Sequence, residues 1–127
     1  MIVLDENISE DQRQLLGSWR MRVLQIGQDI GRKGMQDEPQ ILPLLKKLTS
    51  PTFFTRDSDF WNRRLCHRSD CLVFLDLIPD EVASFVRRTM RHPLLNTKAK
   101  RMGRIVEVSH IGLRIATAHE SSELHAW

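Results

Sequence analysis

The chain has 127 residues, a hydrophobic fraction of 41% and a charged fraction of 28%, a composition typical of one soluble globular domain. Its formal net charge is +3, and no run of about 18 apolar residues is present, which excludes a membrane-spanning helix. The acidic start MIVLDENISED lacks the positive residues of a secretory signal, so we predict a cytoplasmic protein with no membrane contact.

Short apolar runs alternate with helical patterns along the first part of the chain. Residues 1–5, MIVLD, form an apolar run that predicts a buried strand. A helix is predicted to begin at Ser9, which forms a capping-box pattern with Gln12, and to end at Gly17. Residues 21–27, MRVLQIG, predict a second strand. This order is the beginning of a βαβ unit.

A charged loop with two glycines follows the second strand and leads to a second helix. The loop, QDIGRKGMQDEP, covers residues 28–39. Ile41, Leu45 and Leu48 then share one helical face. Pro43 lies inside this pattern, and we expect it to bend or break the first turn.

The middle of the chain repeats the alternation of strand and helix. Residues 51–55, PTFFT, and residues 71–77, CLVFLDL, predict the third and fourth strands. A short helix is predicted over 57–68. Pro79 begins another helix, at a position where its missing N–H costs nothing, and this helix ends near His92.

The last part of the chain predicts two strands and a tail. GRIVEVS, residues 103–109, and GLRIATA, residues 112–118, are predicted to form a hairpin. The alternation of strands and helices favours an α/β fold with a mostly parallel sheet. We predict one domain over 1–118 and a flexible tail over 119–127.

The two cysteines favour a reducing compartment over a disulfide framework. Cys66 and Cys71 enclose the segment CHRSDC. Two cysteines and one histidine at this spacing match no common structural zinc pattern. We therefore predict buried or half-buried thiols.

Acidic residues follow the ends of the predicted parallel strands. Asp5 ends the first strand, and Asp57 and Asp59 follow the third. Asp37 precedes the helix that follows the second strand. Since sites form beyond the carboxyl ends of such strands, the four carboxylates are predicted to share one pocket. A hard cation such as Mg²⁺ or Mn²⁺ would relieve their mutual repulsion, which is the chemistry of a metal-dependent nuclease.

Each of these acids, taken singly, also has a structural interpretation. Asp37 suits a helix N-terminus through the helix dipole, and Asp57 suits an N-cap. Asp5 suits a turn. Glu6 and Asn7 are interpreted as turn or supporting groups rather than ligands. The metal hypothesis depends on several acids sharing one edge of the sheet.

Three motifs resemble those of a known family. VLDENIS, the loop ending in GMQDEPQIL, and FFTRDSDF are similar to the motifs of the PIN-like proteins of the domain of unknown function 5615 type. These proteins are relatives of the PIN-domain toxin ribonucleases. The similarity continues more weakly through CLVFLDLIPDEVASFV and GRIVEVSHIGLRI, so it covers nearly the whole chain.

The resemblance implies a three-layer α/β/α PIN-like fold and an endoribonuclease that hydrolyses RNA with a metal-activated water. By the LDEN match, Asp5 takes the first metal-binding position of a Mg²⁺ or Mn²⁺ site. By the GMQDE match, Asp37 takes the second, with Glu38 as a substitute. The T-x-D-x-D match gives Asp57 and Asp59. Pro39 and Pro43 interrupt a helix that is continuous in the family.

The resemblance also bears on partners. Many PIN-type relatives are toxins that a small antitoxin protein neutralises, so such a partner is expected here, and a homodimer is a further expectation. The alternative function is a catalytically inactive PIN-like binding or regulatory module, in which the acids are relics.

Basic residues are concentrated at the end of the chain. Residues 87–127 contain 8 Lys/Arg and 3 Asp/Glu, whereas residues 1–86 contain 11 and 13. Such a cluster favours a polyanion, with a solvated basic surface as the alternative. Trp61 is interpreted as a half-buried packing residue, with base stacking as the alternative. The candidate RNA-binding residues are Arg32, Lys33, Arg56, Arg87, Arg88, Arg91, Lys98, Lys100, Arg101 and Arg104.

Two other folds with acids after strands fit less well. A phosphoacceptor receiver domain needs a lysine at the end of a late strand, and GRIVEVSHIG has none there. A haloacid dehalogenase-type phosphotransferase has its D-x-D after the first strand. Here the D-x-D follows the third strand and precedes Phe60 and Trp61.

Overall fold

Seven strands form one sheet in the computed structural model, which describes residues 1–127. The strands are β1 (Ile2–Leu4), β2 (Val23–Gln25), β3 (Thr52–Thr55), β4 (Cys71–Leu75), β5 (Ile105–Ser109), β6 (Gly112–Ala116) and β7 (Glu123–His125). Their order across the sheet is β2-β1-β3-β4-β5-β6-β7. The first five pair in parallel, and the last two join antiparallel. The predicted α/β class, the mostly parallel sheet and the hairpin of β5 with β6 are therefore confirmed.

Helices cover both faces of the sheet. They are α1 (Glu10–Ser18), α2 (Leu42–Lys46), α3 (Val82–Arg91) and α4 (Lys98–Arg101). The larger core packs Leu16 of α1 and Val86 of α3 against the side of the sheet that carries Leu4, here called the first face. The smaller core packs Leu45 of α2 against the side that carries Val3, the second face. Because both faces are covered, every residue of β3 and β4 is buried, as their continuous apolar runs predict.

The segment before α2 is helical, but its first turn is wider than an α-helical turn. Residues Asp37–Ile41 form one π-helical turn, and α2 begins at Leu42 with Pro43 in its first turn. Ile41 and Leu42 keep helical backbone angles, so the π turn leads directly into α2, and the missing N–H of Pro43 lies where one hydrogen-bond pattern changes to the other. Asp37 is the first residue of the π turn.

The segment 57–68 differs from the predicted short helix. It forms two separate 3₁₀ turns, Ser58–Phe60 and Arg63–Leu65. The Asp57 and Asn62 side chains each accept a hydrogen bond from the N–H two residues later, at 2.9 and 3.0 Å. Such local bonds compete with the backbone bonds of a continuous helix. The segment therefore stays irregular where it covers the second face of the sheet.

The capping box predicted at Ser9 does not form, although α1 begins there. The side chain of Gln12 is buried and points to a different helix end instead. Its Oε1 accepts from the Ala83 N–H at 2.8 Å, in the first turn of α3. Gln12 therefore satisfies a free N–H of α3 and couples the two helices of the first face.

Residues 119–127, predicted as a flexible tail, are part of the fold. β7 pairs with β6, and Leu124 lies opposite Arg114. The Trp127 Nε1–H donates to the Ser109 carbonyl at 2.7 Å, and its ring packs edge-on against Phe85. These contacts attach the end of the chain to the sheet and to α3, so the domain extends beyond residue 118.

No helix in the structure is long and apolar enough to cross a membrane. The longest, α3, has 10 residues.

Candidate metal centre

The parallel pairing of β1 with β3 brings two predicted acids to one edge of the sheet. Leu4 lies opposite Phe54, and the Asp5 N–H donates to the Phe54 carbonyl at 3.0 Å. Asp5 follows β1 directly, and Asp57 follows β3 after one residue. Both side chains are therefore at the carboxyl edge, as the strand order requires.

Three of the four predicted acids converge. Carboxylate oxygens of Asp37, Asp57 and Asp59 all lie within 4.8 Å of one another. Opposite ligands of a Mg²⁺ ion are about 4.2 Å apart, since each lies about 2.1 Å from the metal. Asp59 is exposed, and Asp37 and Asp57 are half-buried. The donor set consists only of hard oxygens, which is the ligand chemistry of Mg²⁺ and Mn²⁺.

Asp5 is outside this trio and is fixed by the protein. It is 7% exposed, and its Oδ2 accepts from the Thr55 hydroxyl at 2.6 Å. Its Oδ1 accepts from the Glu6 N–H at 2.8 Å. Burial raises the pKa of Asp5, these hydrogen bonds oppose the change, and the charges of Glu6 and Asp57 add to it. Asp5 is therefore electrostatically connected to the trio without being one of its three members.

Burial and the neighbouring acids together raise the pKa of Asp37. It is raised to about 6, first by burial, then by a hydrogen bond to Asp57 and by the charges of Asp57, Asp5 and Asp59. The other three predicted acids thus all act on Asp37. Glu38, the predicted substitute, is exposed and is not part of the trio.

Thr55 connects two of the acidic positions. Its hydroxyl donates to Asp5 Oδ2 and accepts from the Asp57 N–H at 3.0 Å. The side chain is fully buried at the end of β3, so both bonds are protected from water. This one hydroxyl sets the orientation of the Asp5 carboxylate and the path of the backbone at Asp57.

Thr55→Val is expected to lower the free energy of unfolding by about 1–3 kcal/mol, because a buried carboxylate and a buried N–H lose their partner while the shape is kept. The pKa of Asp5 should rise further, since the lost bond lowers it. Urea unfolding and NMR titration measure the two effects. Thr49→Val, at an exposed site, is the control. An unchanged pKa of Asp5 would contradict the role of the hydroxyl.

Glu6 holds the glycine-containing loop beside Asp5. Its Oε1 accepts from the Gly34 N–H at 2.9 Å. Gly34 has a φ of +77°, a conformation that other residues rarely adopt. The bond fixes the exposed loop that carries Arg32 and Lys33 near the acidic edge. Glu6 thus supports this loop.

The predicted RNA-binding residues fall into three groups. Arg32, Lys33 and Arg56 belong to the carboxyl edge, where the Arg56 Nε–H donates to the Leu77 carbonyl at 2.9 Å. Three more arginines lie on α3, which packs on the first face, away from α2. In that group the Arg87 guanidinium stacks 3.7 Å from the centre of the Trp19 ring. The α3 group comprises Arg87, Arg88 and Arg91.

The third group lies at the opposite edge of the sheet. Arg101 of α4 bonds the Thr52 hydroxyl at 3.0 Å, where β3 begins, and the Leu95 carbonyl at 2.9 Å. Arg101 is only 7% exposed, so its prediction as an RNA-binding residue is corrected: it is a structural side chain. Arg104 precedes β5 at the same edge. The group comprises Lys98, Lys100, Arg101 and Arg104, and it does not surround the acids.

Other polar residues beside the trio were not predicted. A cavity of about 380 Å³ is lined by Asp37, Glu38, Pro39, Asp59, Asn62 and Leu65. Asp59 and Asn62 also line a larger cavity with Arg63. The signal in the sequence was weak, because Asn62 and Arg63 lie in a segment predicted as a plain helix. Only the break into two turns exposes them beside the acids.

Comparison of the chain with protein-family models, with curated proteins and with solved structures gives no match.

Proposed function

We propose that this protein is a metal-dependent endoribonuclease whose centre is the carboxyl edge of the sheet. The observation that carries the proposal is the convergence of Asp37, Asp57 and Asp59 within 4.8 Å. Three carboxylates at this distance repel one another, and the pKa of Asp37 is raised to about 6 by burial first and then by Asp57 and by the charges of Asp5 and Asp59. A divalent cation is the ligand that such a group favours most.

Asp37, Asp57 and Asp59 are the residues that would hold a Mg²⁺ or Mn²⁺ ion. A bound ion of this kind supplies a water activated for attack and offsets negative charge on a phosphate. Asp5 is the fourth acid, and its fixed carboxylate adds negative potential beside the trio. Thr55 keeps Asp5 and the backbone of Asp57 in register, so the acidic edge is organised before any ligand arrives.

Cations next to the acids give the site a way to hold the RNA backbone. Arg56 lies between β3 and the acids, and its guanidinium is anchored on the Leu77 carbonyl through Nε. Its remaining N–H groups are available to phosphate oxygens, which guanidinium groups bind well. Arg32 and Lys33 are exposed on the loop that Glu6 fixes. We infer that these three residues position the phosphates that flank the cleaved bond.

The PIN-like fold is part of the proposal. Its support is the resemblance of the three motifs, together with the strand order that puts their acids at one edge. Helices on both faces agree with the three-layer arrangement of that family. A toxin role, an antitoxin partner and a homodimer stay predictions from the resemblance.

The proposed activity is tested by incubating purified protein with single-stranded RNA and Mn²⁺. We expect cleavage that stops when EDTA removes the metal. Asp5→Asn preserves the shape of the side chain but removes its charge, and cleavage should fall at least about tenfold, as for other groups that support metal ligands. Asp76→Asn, at an exposed acid outside the trio, should cleave like the wild type.

Two outcomes would count against the nuclease. Equal cleavage by the wild type and by Asp57→Asn, which lacks a carboxylate of the trio, would indicate a contaminating enzyme. No cleavage by the wild type with Mg²⁺ or Mn²⁺, in a preparation that is folded by circular dichroism, would favour the inactive binding module.

A further inference from the structure

An open surface groove lies next to the acidic trio. Its volume is about 660 Å³. It shares Asp59 and Asn62 with the smaller cavity that contains Asp37. One groove therefore leads from the acids along the second face of the sheet. Its main lining residues are Asp59, Trp61, Asn62, Arg63, Ser121 and Ser122.

Two segments that are distant in sequence build the walls of this groove. One wall is the pair of 3₁₀ turns after β3, and the other is the loop 117–122 between β6 and β7. Arg63 ties them together, because its Nε–H donates to the Thr117 carbonyl at 3.0 Å and its Nη2–H to the Ala118 carbonyl at 3.4 Å. These hydrogen bonds hold the two walls of the groove together, and the pairing of β7 with β6 fixes the end of the second wall.

Hydrogen-bond donors dominate the groove. The Asn62 side chain uses its oxygen to cap the Arg64 N–H, which leaves its amide N–H groups without a protein acceptor. Arg63 Nη1, the Trp61 indole N–H and the hydroxyls of Ser121 and Ser122 make no hydrogen bond within the protein either. Asp59, at the end that joins the trio, is the one acid of the groove. A complementary ligand is therefore rich in hydrogen-bond acceptors.

We propose that this groove is the subsite for the unpaired nucleotide next to the cleaved phosphate, an inference that rests on the proposed nuclease function. Phosphate oxygens match the Arg63 and serine donors, and base carbonyls match the Asn62 amide. The half-buried Trp61 ring supplies an aromatic wall of the kind on which bases stack. Single-stranded RNA is favoured over duplex RNA, because only an unpaired nucleotide enters a concave site of this kind.

The test uses a labelled single-stranded RNA decamer, first in EDTA and then with Mn²⁺. The double variant Asn62→Asp with Ser121→Asp keeps the oxygen that caps the turn and adds negative charge to the groove. Its dissociation constant in EDTA should rise about tenfold or more, since the two added carboxylates repel phosphate and the Asn62 amide donor is lost. Ser84→Asp adds one charge on exposed α3 as a control and should bind like the wild type. A second variant, Trp61→Phe, keeps a ring but removes the indole N–H, and it should weaken binding by a smaller factor.

The outcomes separate the subsite from the nuclease. Weaker binding by the groove variants, without cleavage by the wild type in Mn²⁺, supports the subsite and rejects the nuclease. Wild-type affinity in both groove variants, with metal-dependent cleavage retained, rejects the subsite alone. Equal or tighter binding of a duplex of the same sequence overturns the preference for single strands. A wild-type protein that binds the decamer in neither condition overturns both.

Discussion

Asp57→Asn is expected to weaken Mn²⁺ binding at least about a hundredfold, because loss of supporting groups around metal ligands already costs about 10- to 100-fold. Asp57 is the member of the trio that acts most strongly on its neighbours. It gives Asp37 both a hydrogen bond and the largest of the charge effects on its pKa. Titration calorimetry with Mn²⁺ and an RNA cleavage assay measure the loss, which should be similar in both.

The same variant has a second expected effect in the metal-free protein. Removing the charge and the hydrogen bond of Asp57 should lower the pKa of Asp37 toward its ordinary value, since both raise it. The amide oxygen of asparagine still caps the Asp59 N–H, so the turn should persist. NMR titration of the Asp37 carboxyl follows the change. A pKa that stays near 6 in the variant would mean that burial alone explains it, and that the acids are not in contact.

Asp70→Asn is expected to stabilise the fold at pH 7. Asp70 is 1% exposed, and neither carboxylate oxygen has a hydrogen-bond partner. Burial raises its pKa from 3.8 to about 6, with the charge of Lys46 acting in the opposite direction. The buried charge of Asp70 therefore lowers the free energy of unfolding at neutral pH by roughly 1–3 kcal/mol, because each pKa unit corresponds to about 1.4 kcal/mol. The neutral amide of asparagine removes most of this cost.

The stabilisation expected from Asp70→Asn depends on pH, because the pKa of Asp70 is higher in the folded protein than in the unfolded chain. Between about pH 4 and 6 the folded protein holds the proton more strongly than the unfolded chain. The wild type thus loses free energy of unfolding as the pH rises through this window, and the loss is complete above it. Urea unfolding of both proteins at pH 4, 5, 6 and 7 should give a difference that grows from near zero to its full value. Because other acids titrate alike in both proteins, a difference independent of pH would contradict the assignment.

The sequence predicts that the acids lie at one edge of the sheet, but it does not predict which of them come close enough to share a metal ion. Parallel strands end at one edge, so Asp5 and Asp57 had to be neighbours once β1 and β3 paired. The sequence did not indicate that the Thr55 hydroxyl would bind Asp5 or that Asp5 would lie outside the trio. That outcome depends on side-chain geometry at the ends of two strands, which apolar periodicity does not describe.

Segments without apolar periodicity account for most of the other differences. α4 (Lys98–Arg101) was not predicted, because its sequence, KAKR, has no apolar stripe. The charge of Arg101 predicts a surface cation, yet its long side chain is buried because its N–H groups find acceptors. β7 has two exposed residues of three, and only its pairing with β6 makes it a strand.

The outermost strands, β2 and β7, leave little backbone for another chain to extend the sheet. Each has only three residues, so an added strand would find few free N–H and carbonyl groups. Arg22 precedes β2, and Glu123 and His125 lie on β7, and charge at such edges discourages further pairing. We expect these short, charged edge strands to resist pairing with the edge strands of other molecules. Any self-association of the protein is therefore expected to proceed through side-chain surfaces rather than through a continuous sheet.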